Sequence, residues 1–374
     1  MATIVMAGTP AQGKTFHYPA LDGVRGLAIL SVMMLHFTAG YHGTNRVFRA
    51  WSPIAELGWM GVDLFFVLSG FLITGIIRRS AANPHRVRNF YARRALRIFP
   101  LFYGVLFGCL LLTPVFHLHW QPVHGLYWVY LGNMVNMPLL GPPGQSLSLT
   151  HFWSLAVEEQ FYLLWPFVVW RIKDRRKLLK VIVAILIASP MLRIVLLVAG
   201  VPTAFTEYLL FTRADSLLYG ALIAVLLEVG KPALTTARKL LMAASVLIAI
   251  TYPLAPHVPG GEPVWRNSVA YSLIGMGAAS LVCLCAVGSG ILAQIFSNRV
   301  LRFFGKYSYG IYVYHGLYAA LLRHWISTEP ALARLGGLTT PLGVVLGVGI
   351  AVGIAYLSYN YFEAPILRIK DRFA

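Results

Sequence analysis

The feature that most constrains this chain is a succession of apolar runs with the charged residues gathered between them. Each run is close to the roughly 20 residues that an α-helix needs to cross a bilayer. A water-facing surface cannot be built around such runs. Apolar residues make up 58% of the 374 and charged residues only 12%, about half the roughly 25% of soluble domains. Because the bilayer core offers backbone groups no water to bond, a spanning segment must satisfy them internally, as a helix does. The sequence therefore predicts an all-α, polytopic membrane protein. Its ten spans are expected near 21–41, 57–77, 98–116, 152–170, 178–199, 208–229, 239–256, 268–288, 306–326 and 341–361.

The net charge of +18 would suggest nucleic acid in a soluble chain. Here it is explained by basic residues collecting in cytoplasmic loops, so no nucleic-acid partner is expected. The clearest such loop, 78–97, carries Arg78, Arg79, Arg86, Arg88, Arg93, Arg94 and Arg97. A second basic stretch, Arg171 to Lys180, must lie on the same side. Only one full crossing then fits between 116 and 171. The run 152–170 is the longer candidate, which leaves 125–140 as an outer re-entrant segment whose backbone protein must cover. Both termini come out cytoplasmic, as short tails over 1–19 and 367–374. Cys109, Cys283 and Cys285 all fall in apolar runs, and neither a disulfide framework nor a metal-binding Cys/His spacing is present. Residues 1–19 lack signal-peptide anatomy.

Ionisable residues inside spans cost about 2.5–3.5 kcal/mol each on insertion scales, so each calls for a reason. The first span holds Asp22, Arg25 and His36. Eleven residues separate Arg25 from His36, which places them about 20° apart around the helix and about 16 Å apart along it. Asp22 lies one turn from Arg25 and can pair with it. By parity of the spans, His36, Asp63, Glu158 and Asp215 reach similar depth near the outer side. A His with a carboxylate to orient it in a water-poor site is a sensible general base. The structural alternative is a buried His that bonds a neighbouring helix, carboxylates neutralised by inter-helix partners, and Arg213 paired with Asp215. His117, His119, His124 and His151, with Trp120, Tyr127 and Trp128, surround the re-entrant segment. They read as interfacial anchors or as a carbohydrate platform over the site.

Gly8-Thr9-Pro10-Ala11-Gln12-Gly13-Lys14-Thr15 fits a Walker A pattern. That pattern works only where a strand leads into the loop and the Lys-Thr opens a helix. Here Pro19 and a membrane span follow, so it reads as a chance match.

Several multi-residue blocks, in order, resemble the acyltransferase-3 family of integral membrane acyltransferases. They begin with Leu21-Asp22-Gly23-Val24-Arg25-Gly26 and the Arg25-x10-His36 signature. Next come Gly61-Val62-Asp63-Leu64-Phe65-Phe66-Val67-Leu68-Ser69-Gly70 and Phe90-Tyr91-x-Arg93-Arg94-x-x-Arg97. Further blocks are Trp153-Ser154-Leu155-x-x-Glu158-x-x-Phe161-Tyr162, Arg213-x-Asp215, Gly305-Lys306-x-Ser308-Tyr309, His315 and Tyr361-x-Glu363-x-Pro365. Together they cover about 20–366.

The resemblance implies an enzyme that moves an acyl group, usually acetyl, from cytoplasmic acyl-CoA to a hydroxyl. The acceptor is often a cell-surface glycan or its precursor, and the location a bacterial inner membrane. Acyl-CoA enters as a co-substrate, with no tightly bound cofactor or metal. The added extracytoplasmic domain of some members is absent from these 374 residues. Arginine forks match phosphate oxygens, so Arg25, Arg93, Arg94 and Arg97 are expected to bind acyl-CoA. Arg78, Arg79, Arg86 and Arg88 read as ordinary anchors. His36 is expected as the base, Glu158 as its partner and Asp63 as the weaker candidate for that task. A covalent acyl-enzyme on His36 is the runner-up mechanism. Asp22, Ser69, Tyr162, Arg213, Asp215 and His315 form the supporting set, His315 without an assigned task. A pore within ten helices needs no partner subunit. The competing class is a proton-coupled transporter or flippase using the same buried His, Asp and Glu, against which stands the absence of an internal repeat.

Overall fold

The computed structural model describes residues 18–38, 46–135, 138–228, 230, 234–257, 260–288, 290–329 and 339–373. The Walker A-like stretch at 8–15 lies outside them. Ten helices of at least 17 residues occupy the positions of the expected spans: α1 (Pro19–Thr38), α2 (Met60–Arg79), α3 (Arg86–Leu111), α4 (Trp153–Arg171), α5 (Arg175–Val198), α6 (Leu210–Leu227), α7 (Leu234–Thr251), α8 (Tyr271–Val287), α9 (Arg299–Thr328) and α10 (Thr339–Ser358). Among the described residues, eight helical stretches are long and apolar enough to cross a membrane, and these contain α1–α3, α5–α8 and α10. The protein is thus an all-α, multi-pass membrane chain. The other two helices, α4 and α9, carry several polar residues inside the bundle, among them Glu158, Glu159, Ser308 and His315.

The third helix departs from the expectation. It starts at Arg86 rather than near 98, so Arg93, Arg94 and Arg97 ride on a helix instead of a loop. The basic run contains no helix breaker between Val87 and Phe99, and Arg is a good helix former. Elsewhere the starts follow local chemistry. Asp174 caps α5 by accepting from the Lys177 amide at 2.7 Å, and Asn298 caps α9 by accepting from the Val300 amide at 2.7 Å. The segment expected to be re-entrant contains 3₁₀ turns at Pro122–Val129 and Gly132–Met134, and buries His124, Tyr127, Gly132 and Asn133. Gly125, Val129, Met134 and Leu139 of the same segment are exposed.

Two close helix pairs set the frame: α1 against α9, and α2 against α6. Apolar helices gain no hydrophobic driving force from meeting in lipid, so close packing of small residues has to hold them. At the α2–α6 crossing, a Cβ on Gly70 would stand 1.7 Å from the Leu217 carbonyl oxygen, and one on Gly220 1.9 Å from that of Val67. At the α1–α9 crossing, a Cβ on Gly305 would stand 1.8 Å from the Asp22 carbonyl oxygen. These approaches bring α1, α2, α4 and α9 around two internal cavities. Inner and outer below denote the face of the basic stretches and the face opposite.

Candidate active site

The inner cavity, of about 210 Å³, is lined by Arg25 from α1, Ser69 from α2, Arg94 and Arg97 from α3, Glu158, Glu159 and Tyr162 from α4, and Ser308, Tyr309 and Tyr312 from α9. Arg25 donates to Asp22 at 2.8 Å, one helical turn away. The Arg94 guanidinium lies 5.1 Å from the centre of the Tyr162 ring, within cation–π range. Tyr162 donates to Ser69 Oγ at 2.9 Å, and Ser69 donates to Glu158 Oε1 at 2.5 Å. Three guanidinium groups lining one cavity suit an anion with several phosphate oxygens. Arg93, on the same helix, is not among the lining residues.

The outer cavity, of about 340 Å³, is lined by His36, His151, Trp59, Trp153, Tyr208, Tyr271, Glu207, Arg213 and Arg266 among others. His36 Nδ1 lies 2.8 Å from Nε2 of His315, and the two rings stack with centroids 5.0 Å apart and planes 24° apart. His315 is fully buried. The residues are 279 positions apart in sequence, so only the α1–α9 packing brings them together. A third imidazole, His151, lies with its centroid 5.6 Å from that of His315 and donates Nε2–H to the Val313 carbonyl at 3.0 Å. Val62 and Tyr312 line both cavities. The Tyr312 hydroxyl is fixed there by Ser154 Oγ at 2.5 Å and the His151 carbonyl at 3.0 Å.

The remaining expected residues fall elsewhere. Glu158 makes no hydrogen bond to His36 and lines the inner cavity. Counting along α4 put it at the depth of His36, whereas its side chain bonds Ser69 of α2 in the cavity that Arg25, Arg94 and Arg97 line. Asp63 is fully buried and takes Arg213 at 2.6 Å and Ser216 at 2.6 Å on one oxygen. The Arg213–Asp215 pair weighed from sequence is not made. Two residues apart, they stand about 200° apart around the helix. Asp215 instead holds the two terminal nitrogens of Arg193, at 2.9 and 2.8 Å, both partners fully buried. Sequence reasoning gave Arg193 no task. The buried acidic set of a proton relay is therefore largely engaged in ion pairs.

The aromatic platform also shifts. Trp120 is tied to Thr113, Trp128 stacks on Tyr103, and His124 bonds the Pro138 carbonyl. Of that group, Tyr127 and His151 line the outer cavity, whereas Trp59, Trp153, Tyr208 and Tyr271 do so from other segments. Trp153 opens one of the motif blocks, but no local pattern marks Trp59, Tyr208 or Tyr271, since Trp and Tyr at membrane depth are common anchors.

Comparison with known proteins agrees with this architecture. The acyltransferase-3 family model, described as an acyltransferase domain, matches residues 18–360. Over 94% of its length the chain is 28% identical to the peptidoglycan O-acetyltransferase OatA of Listeria monocytogenes, covering 56% of that protein. It is 24% identical, over 94% of its length, to the O-acetyltransferase OatA of Staphylococcus aureus, covering 57% of it. The chain thus spans a little over half the length of these relatives. No solved structure matches it. With the family model covering nearly all of its helices, the chain belongs to the acyltransferase-3 family.

Proposed function

We propose that this chain is a membrane O-acyltransferase that carries an acetyl group from acetyl-CoA, held in the inner cavity, to a sugar hydroxyl in the outer one. The observation that carries the reading is the abutment of the two cavities at Val62 and Tyr312, with guanidinium groups on the inner side and His36 on the outer. The CoA phosphates would sit against Arg25, Arg94 and Arg97, each charge-assisted bond contributing about 1.5–3 kcal/mol. Glu158, oriented by Ser69, would accept from an amide of the pantetheine arm. The thioester passes Tyr312 to reach His36.

There the imidazole takes the proton of the acceptor hydroxyl as its oxygen attacks the thioester carbonyl. The O–C bond forms, the C–S bond breaks, and the imidazolium returns the proton to sulfur, releasing CoA as the thiol. Holding donor and acceptor on either side of one short partition supplies proximity, which can account for several kcal/mol of the barrier. Aromatic rings with one polar edge, such as Trp59, Trp153 and Tyr208, suit an acceptor with both apolar and hydroxyl faces. The relatives' names support a cell-wall glycan as that acceptor, reached from a bacterial inner membrane.

The test uses purified protein in nanodiscs with radiolabelled acetyl-CoA and a glycan acceptor. Turnover in the wild type and its loss in His36→Ala, with the helical circular dichroism unchanged, is the expected result. Label retained on the protein before acceptor is added would shift the mechanism to an acyl-enzyme. Folded wild type that consumes neither acetyl-CoA nor longer acyl-CoA overturns the reading.

A further inference from the structure

The pairing of His36 with His315 has a chemical direction that can be read atom by atom. Nδ1 of His315 lies 3.0 Å from the Ile311 carbonyl oxygen and 2.7 Å from that of Tyr312. Carbonyl oxygens only accept, so Nδ1 of His315 carries a hydrogen. No carboxylate bonds either imidazole among the described residues, and nothing else there compensates a charge on a fully buried ring. In the neutral ring, Nε2 of His315 is then a bare acceptor. The 2.8 Å contact follows as His36 Nδ1–H donating to His315 Nε2. The other nitrogen of His36, Nε2, is left with a free lone pair on a residue that lines the outer cavity.

We propose that His315 is a positioning residue that fixes the tautomer and ring orientation of His36, so that Nε2 of His36 is the base. The proposal rests on the acyltransferase reading for its kinetic consequence, though not for the tautomer itself. The backbone of α9 is the ultimate reference, since its carbonyls set His315 and His315 sets His36. When His36 accepts the hydroxyl proton on Nε2, its Nδ1–H bond to His315 becomes charge-assisted and roughly twice as strong. His315 thus does with a neutral imidazole what a carboxylate does in a Ser-His-Asp triad. It keeps its own hydrogen on Nδ1 throughout and never enters the proton balance.

Three substitutions separate this from mere packing. His315→Gln places an amide oxygen where Nε2 stood and can still accept from His36. His315→Leu has similar reach and no acceptor. His315→Asn can bond the backbone carbonyls but falls short of His36. The measurements are acetyl transfer kinetics and the ¹⁵N spectrum of histidine-labelled protein in detergent, with His36 identified by its loss in His36→Gln. In the wild type, His36 is expected to show a protonated Nδ1 and a bare Nε2. His315→Leu and His315→Asn are expected to lower kcat about 100- to 1000-fold with KM for acetyl-CoA within about threefold, and His315→Gln to stay within about tenfold of wild type. His315→Leu should also scramble the His36 tautomer. A protonated Nε2 on His36 in the wild type overturns the proposal. So does a His315→Leu enzyme with kcat within about threefold of wild type, or equal losses in folded Gln and Leu variants. If the Leu variant does not fold, the wild-type spectrum and the Gln variant decide. If wild type has no transferase activity, the acyltransferase reading fails while the spectrum still decides the tautomer.

Discussion

Asp63 and Arg213 form a pair whose removal has a calculable cost. Asp63 is fully buried and Arg213 only 2% exposed, and they meet at 2.6 Å between α2 and α6. Asp63→Ala leaves a guanidinium in the protein interior with no carboxylate to replace the lost one, because Asp215 is already held by Arg193. Breaking a buried pair by removing one partner costs about 3–5 kcal/mol, and the orphaned Ser216 hydroxyl adds about 1 kcal/mol. At about 2 °C per kcal/mol for a chain this long, the unfolding midpoint should fall by roughly 8–12 °C. A thiol-reactive dye reads this directly, since Cys109, Cys283 and Cys285 are all free and buried. The double variant Asp63→Leu with Arg213→Met removes both charges, and should recover most of the loss because apolar replacements of buried pairs are near neutral. A single variant that melts with the wild type refutes the argument, as does a double variant no better than the single. An Asp63→Asn protein that keeps its midpoint but loses turnover would instead return Asp63 to the chemistry.

Two further outcomes are expected. Arg94 lines the inner cavity and Arg93 does not. Arg94→Gln should therefore raise KM for acetyl-CoA about 10- to 100-fold, the equivalent of one charge-assisted bond, while Arg93→Gln changes it less than about twofold; similar effects from both would contradict the placement. Gly220→Val forces a side chain against the Val67 carbonyl oxygen, which a Cβ alone would approach to 1.9 Å. It should cost about 3 kcal/mol or more by prying α2 from α6, whereas Gly108→Val, with open space around it, should leave the dye-labelling midpoint within about 2 °C.

Much of this protein was legible in the linear chain. The bilayer imposes one length on every spanning helix, so the apolar runs gave the positions of the helices. The 3.6-residue repeat set Arg25 and His36 on one stripe, and that stripe does join the two cavities, Arg25 in the inner and His36 in the outer. Motif blocks in order gave the family. What counting could not supply was the azimuth of one helix relative to another. Glu158, expected beside His36, instead bonds Ser69 in the inner cavity. Asp63 and Asp215, expected at the same depth as His36, are drawn to Arg213 and Arg193. His315 became the partner of His36 only because small residues let α9 close on α1, across 279 residues of sequence. Hydropathy and charge act along the membrane normal, so they are written in the order of residues. Which side chains meet within the bilayer plane is set by van der Waals fit between helices, and that is decided only when all of them pack together.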